Sequence, residues 1–198
     1  MKEVLISIQP YYLFLIIARL RGLNIPQEKT VEVRKNFPKD PAWNKITHIY
    51  CSKNRKSFNQ IPVQYQPFME QLLGKVIGEF VCDETVDIGR RYAYANKDKA
   101  FYEILSAACL TDKDLQKYAP NGTAVAWHIS NLKIYDTPKE LGNFLPYCEG
   151  RGCCDGGAVW DGNEWHYGVT CGYSAKNCLR LTRPPQSWCY VEELEVEE

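Results

Sequence analysis

Residues 148–179 restrict the fold more than any other part of the chain: they hold seven glycines and five cysteines with almost no aliphatic side chains. A segment of that composition cannot bury enough apolar surface to stand alone, so it needs a cross-link. Cys148-x4-Cys153, a gap of seventeen residues and Cys171-x6-Cys178 form a two-plus-two arrangement, with Gly150, Gly152 and Gly172 beside them. Four thiolates suit tetrahedral Zn²⁺, and glycines let the backbone turn tightly around an ion. Cys154 is an alternative to Cys153, and His166 to one thiolate. A zinc with four protein ligands has no open position, so the expected site is structural.

The redox setting decides between metal and disulfide. Glu3 lies in the opening and Arg19-Leu20-Arg21 stands where a signal peptide would need small residues, so no secretory leader is expected. The apolar run from Tyr11 to Ala18 is too short to cross a bilayer. A cytoplasmic protein is the expectation, with nine cysteines kept reduced and zinc favoured over disulfides.

Outside this segment the pattern is mixed. Val4–Ile8 reads as a buried strand, and Pro10 opens an apolar helix through about Leu20. Thr30–Arg34 alternates in strand fashion, Ile46–Cys51 and Lys75–Cys82 add two strands, and Ser187–Val191 a last one. Lys97–Ala108 and Asp112–Tyr118 read as helices, the second with Thr111 as N-cap and Asp114 three residues on, a weakened capping box. Ala124–Ile129 and Leu132–Tyr135 read as strands around Ser130-Asn131, and Pro138–Phe144 as a short helix. Strands interrupted by helices predict an α+β fold with a small, partly closed sheet.

The formal charge is zero, with 24 Lys+Arg against 24 Asp+Glu, so any attraction for nucleic acid must be local. Residues 29–56 supply it: Lys29, Arg34, Lys35, Lys39, Lys45, Lys53, Arg55 and Lys56 face only Glu32 and Asp40. Trp43, Tyr50, Phe58, Tyr65 and Phe68 lie within or just beyond it, and cations mixed with aromatics can hold phosphates while stacking bases. The sharper cluster is Lys29, Glu32 and Arg34. A carboxylate between two cations can orient both, yet a regular strand puts Lys29 on the face opposite Glu32 and Arg34. All three meet only if the chain bends after Pro26-Gln27-Glu28. Otherwise Glu32 and Arg34 are a surface pair of little consequence.

The order Val4-Leu5-Ile6-Ser7-Ile8-Gln9-Pro10, Lys29-Thr30-Val31-Glu32-Val33-Arg34-Lys35, Gly74-Lys75-Val76-Ile77-Gly78-Glu79-Phe80 and Trp127-His128-Ile129-Ser130 resembles the ASCH domain of the PUA-like superfamily. The resemblance covers roughly residues 2–147 and 180–194, and the closing Arg183–Val191 is similar to ASCH proteins of phages and prophages. Lys29, Glu32 and Arg34 match its GxKxxExR hallmark, with Gln27 in place of the glycine. The resemblance implies a PUA-like small β-barrel with flanking helices, formed by residues 1–147 plus 180–198, with 148–179 as a Cys-rich, zinc-stapled insertion. It also implies a cleft for RNA or a modified nucleoside, to which Lys29, Glu32, Arg34, Lys35, Trp43, Trp127 and His128 would contribute. Trp127 or Trp43 would stack a base.

Some ASCH proteins are amidohydrolases that deacetylate N(4)-acetylcytidine with a lysine, a threonine three residues on and a distant glutamate. Here Glu32 replaces that threonine, which takes away the hydroxyl nucleophile and leaves a general base for water. Lys29 and Glu32 would then be the catalytic pair, with Glu79 and Glu103 as candidates for the distant carboxylate. A ribonuclease would instead draw on His128, Ser130 and Tyr50 for proton transfer. A third class of function is docking of a protein partner by the 148–179 insertion.

Overall fold

The computed structural model describes residues 2–23, 25, 27–89, 97–146, 181 and 183–193, and the backbone pairing of 159–160 with 165–166. Strand β1 (Lys2–Ile8) is apolar through its middle, Val4–Leu5–Ile6, where both its faces are covered. It pairs in parallel with β3 (Trp43–Cys51) and antiparallel with the strand Trp188–Glu193 near the C-terminus. The parallel pairing requires a crossover, and helix α1 (Pro10–Leu20) provides it. Pro10 occupies its first turn, where no backbone N–H is needed. A Schellman motif closes it: Gly22, at φ 57°, donates to the Arg19 carbonyl and Leu23 to that of Ala18.

Two sheets result. The larger has the order β7-β4-β3-β1-β11-β8, where β4 is Lys75–Val81, β7 Ser130–Glu140, β8 Phe144–Pro146 and β11 Trp188–Glu193. The smaller has the order β2-β6-β5, comprising Val31–Arg34, Val125–His128 and Thr85–Asp87. They meet at a corner where β4 leads into β5 and β6 into β7: Ser130 pairs with Val81, and the His128 amide donates to the Glu84 carbonyl. The pair β9 (Val159–Trp160) and β10 (Trp165–His166) is separate from both. No described helix is long and apolar enough to cross a membrane.

The α+β expectation agrees with these elements. The barrel does not: among the described residues the six-stranded sheet ends at β7 and β8 without closing on itself. Pro138–Phe144 is not a helix either. Strand β7 continues through Pro138 to Glu140, pairing Lys139 with Val76, and only Leu141–Asn143 makes a 3-10 turn. As the edge strand of the sheet, β7 tolerates a proline because one side of its backbone needs no partner. Buried Phe144 then starts β8, which pairs antiparallel with β11.

Beyond the short helices α2 (Arg55–Phe58) and α3 (Gln66–Glu70), helices α4 (Lys99–Ala107) and α5 (Asp112–Tyr118) cover one face of the small sheet. Phe101, Leu105 and Leu115 pack there on Val31, Val33 and Ala126. The expected Thr111–Asp114 capping box is present. Since side chains alternate along β2, burying Val31 and Val33 on the helical side turns Glu32 and Arg34 to the other side. Across the large sheet, four adjacent strands carry a polar chain. Glu3 of β1 lies 2.7 Å from Nε2 of His48 on β3, whose Nδ1 lies 2.9 Å from the Tyr135 hydroxyl of β7, which donates to Glu79 of β4.

Candidate functional site

The bend that the Lys29–Glu32–Arg34 cluster requires lies just ahead of β2. Residues 27–30 are outside any strand, and the Thr30 amide donates to the Ala107 carbonyl at the end of α4. The Lys29 ammonium thereby falls beside the same helix end and donates to the Ala108 carbonyl at 2.9 Å. Cations are favoured there, where the last carbonyls of a helix lack intrahelical partners. The other ammonium contacts are the Val31 carbonyl at 2.7 Å and Glu32 Oε2 at 3.2 Å.

On its other oxygen Glu32 meets Nη2 of Arg34 at 3.0 Å, and the same nitrogen donates to the Ser7 carbonyl at the end of β1. Lys29, Glu32 and Arg34 are all buried, at 2, 7 and 6% exposure. A buried charge left alone is very costly, so each member of the triad depends on the other two. Arg34 Nε is buried and has no hydrogen-bond partner among the described residues.

This triad lines a cavity of about 700 Å³, which is within the range of a small-molecule site. Gln9 at the end of β1, Tyr12 of α1, Asn54 after β3, and Asp114, Lys117 and Tyr118 of α5 are among the other residues of the wall. Burial raises the Tyr12 hydroxyl above its ordinary pKa, with Asp114 and Glu32 adding to the effect. Tyr118 is raised by the same cause, against the opposing influence of Arg34. Both phenols are therefore neutral donors at physiological pH. Of the lining residues Lys117 is exposed, and the exposed Lys35, outside the lining, holds its ammonium 5.6 Å from the ring centre of the lining Tyr118.

Several expectations need correction. Lys29 has three N–H groups and three protein acceptors, so it holds the chain bend and leaves no donor for a phosphate. Trp127 is fully buried between Trp43 and Trp188, with ring centres 5.9 and 6.3 Å apart, and Trp43 is 5% exposed with its indole N–H on the Ile46 carbonyl. Neither indole lines the cavity, so neither can stack a base there. Their apolar area is used in the main core.

His128 bonds the exposed Asp83 at 2.7 Å outside the cavity, Ser130 donates to the Val81 carbonyl, and Tyr50 is buried in a third cluster. Glu79 belongs to the polar chain of the large sheet and Glu103 pairs with exposed Lys99, so neither carboxylate reaches the cleft. Of the basic stretch, Lys45 caps the Trp43 ring and Arg55 pairs with Glu70. Cys148, Cys153, Cys154, Cys171 and Cys178 lie outside the described residues, as does the side chain of His166. The described cysteines Cys51, Cys82, Cys109 and Cys189 are free, and burial pushes the Cys51 thiol up to about 12.

What the sequence did not single out is the rest of the wall. Tyr12 reads as a member of an apolar helix, while Lys117 and Tyr118 read as the end of a polar one. Only the juxtaposition of α1 and α5 across β2 makes them a site.

No protein-family model and no curated protein matches the chain. Among solved structures it is similar to ASCH from Zymomonas mobilis. Two mutant proteins give 19 and 21% identity with TM-scores of 0.43 and 0.41, covering 71% of this chain and 77 and 75% of those chains. The unsubstituted protein gives 21% identity and a TM-score of 0.37, covering 71% of this chain and 74% of that one.

Proposed function

We propose that the cleft binds a nucleoside or one nucleotide of an RNA, with the base toward Glu32 and Arg34 and the phosphate toward Lys35 and Lys117. The observation that carries this reading is a buried, hydrogen-bonded carboxylate–guanidinium pair on the floor of a cavity of about 700 Å³. Such a pair supplies an acceptor and a donor side by side, which suits the polar edge of a base. The phenol rings of Tyr12 and Tyr118 offer aromatic surface on the walls in place of the core tryptophans. Phosphates stay hydrated more cheaply at an exposed rim than on a buried floor, and exposed Lys117 of the lining, with exposed Lys35 beside Tyr118, offers cations there.

The reading is one of binding. Hydrolysis of a modified nucleoside in the same cleft, with Glu32 as base, is the alternative; Lys29 is too fully engaged to serve as its electrostatic catalyst. The zinc staple through Cys148, Cys153, Cys171 and Cys178 remains our proposal from the spacing of those residues.

The test is titration of a short single-stranded RNA and of free nucleotides into wild type and the Lys35→Glu/Lys117→Glu variant, at two salt concentrations. Exposed lysines can be reversed without unfolding the protein, so the expected result is at least tenfold weaker binding and a shallower salt dependence in a variant of unchanged melting temperature. Equal affinity in both proteins contradicts the phosphate assignment. Turnover of N(4)-acetylcytidine or RNA that is lost in Glu32→Gln moves the protein to the enzyme class.

A further inference from the structure

We infer that Glu32 and Arg34 read the Watson–Crick edge of the base, with Glu32 accepting an N–H and Arg34 donating to the neighbouring oxygen or nitrogen. The inference rests on the nucleoside reading above and goes on to say which face of the ligand enters first.

Glu32 and Arg34 occupy alternate positions of one strand, share a face and are locked together at 3.0 Å. An ionised carboxylate has about four lone-pair sites, of which Lys29 and Arg34 each use one, so acceptor capacity remains on both oxygens. Arg34 Nε is shut off from solvent and has no hydrogen-bond partner among the described residues, while Nη2 is fixed by the Ser7 carbonyl. Both residues line the cavity. Their rotamers are therefore set before a ligand arrives, which lowers the ordering cost of binding.

Each of the four bases has, on its Watson–Crick edge, a donor next to an acceptor. That is the complement of a carboxylate beside a guanidinium. A sugar offers hydroxyls that donate and accept alike, and a phosphate offers acceptors only, so it would meet Glu32 with repulsion. The floor thus selects the base edge and rejects the phosphate, while the rim lysines do the opposite. It follows that a base engaged in pairing cannot use this floor.

The experiment pairs ordinary nucleosides with neutral derivatives that lack the edge donor: uridine with 3-methyluridine, and cytidine and adenosine with their N,N-dimethyl forms. Binding is read by calorimetry or by chemical-shift changes, with 5-methyluridine as a control whose methyl group lies off that edge. The nucleosides that bind should lose at least tenfold in affinity on donor methylation, because the methyl group leaves the buried Glu32 carboxylate facing no donor. The affinity of 5-methyluridine should stay within about threefold of that of uridine, as a methyl off the edge costs no hydrogen bond. In Glu32→Gln, whose fold is checked by its circular dichroism, the discrimination should shrink. Donor-methylated nucleosides that bind as well as their parents overturn the edge assignment while leaving nucleoside binding intact. Absence of binding by every nucleoside and nucleotide overturns the underlying reading as well.

Discussion

The Lys29 ammonium lies 3.2 Å from Glu32 Oε2, although the two residues would occupy opposite faces of a regular strand. The pair exists because β2 starts only at Val31, and residues 29–30 are tied to the end of α4 by the Thr30 amide and the Lys29 side chain. One lysine therefore joins the small sheet, its covering helices and the floor of the cleft.

Lys29→Met should destabilise the protein by about 3–5 kcal/mol, the usual cost of leaving one partner of a buried ion pair uncompensated. Urea unfolding measures it. Adding Glu32→Gln should restore part of the loss, so the double variant falls short of the sum of the singles. Additive effects would show that the two side chains do not interact.

Trp127→Phe and Trp43→Phe should each cost stability and leave ligand affinity within about twofold, because both rings belong to the core and stay away from the cavity. Tyr118→Ala, on the cavity wall, should weaken binding by about 1–3 kcal/mol if its ring stacks on the base. A reversal of this order, with the tryptophans carrying affinity, would return the stacking role to them.

The sequence indicates this division only in part. Motif residues Lys29, Glu32 and Arg34 stand out because a local string and a local bend bring them together, and the helices are marked by Pro10 and by Thr111–Asp114 within a few residues of where they begin. The tryptophans mislead because an aromatic among cations looks the same in sequence whether it faces solvent or core. Which it does depends on the pairing of β2 with β6, a contact across about a hundred residues that sets Glu32 opposite Trp127. Tyr12, Lys117 and Tyr118 are hidden for the same reason, since nothing local marks two helix faces that meet across a third element. Pro138 suggests a helix start, and only its place on an edge strand explains why it is extended instead.

Acid should destabilise the large sheet through Glu3. The hydrogen bond from His48 holds the Glu3 carboxyl below its ordinary value of 4.5, against an opposing effect of burial. A carboxyl whose folded pKa is lowered contributes stability that is complete above the unfolded value and is lost as pH falls through the folded one. Melting temperature followed from neutral pH to below 4.5 should therefore fall less in Glu3→Gln than in wild type. An equal fall in both proteins would remove Glu3 from the account.

Protein purified without added metal should carry about one zinc per chain if four cysteines of residues 148–179 form a closed site. Elemental analysis gives the ratio, and Cys148→Ser or Cys171→Ser should lower it. A folded preparation free of zinc would refute the staple.

The most direct measurement is a crystal structure of the protein soaked with the nucleoside that binds best. The base should lie in the cleft, with a base N–H about 2.9 Å from a Glu32 oxygen and a base acceptor at the same distance from the Arg34 guanidinium. A base lodged elsewhere, or a phosphate on Glu32 and Arg34 with the base in solvent, would contradict it.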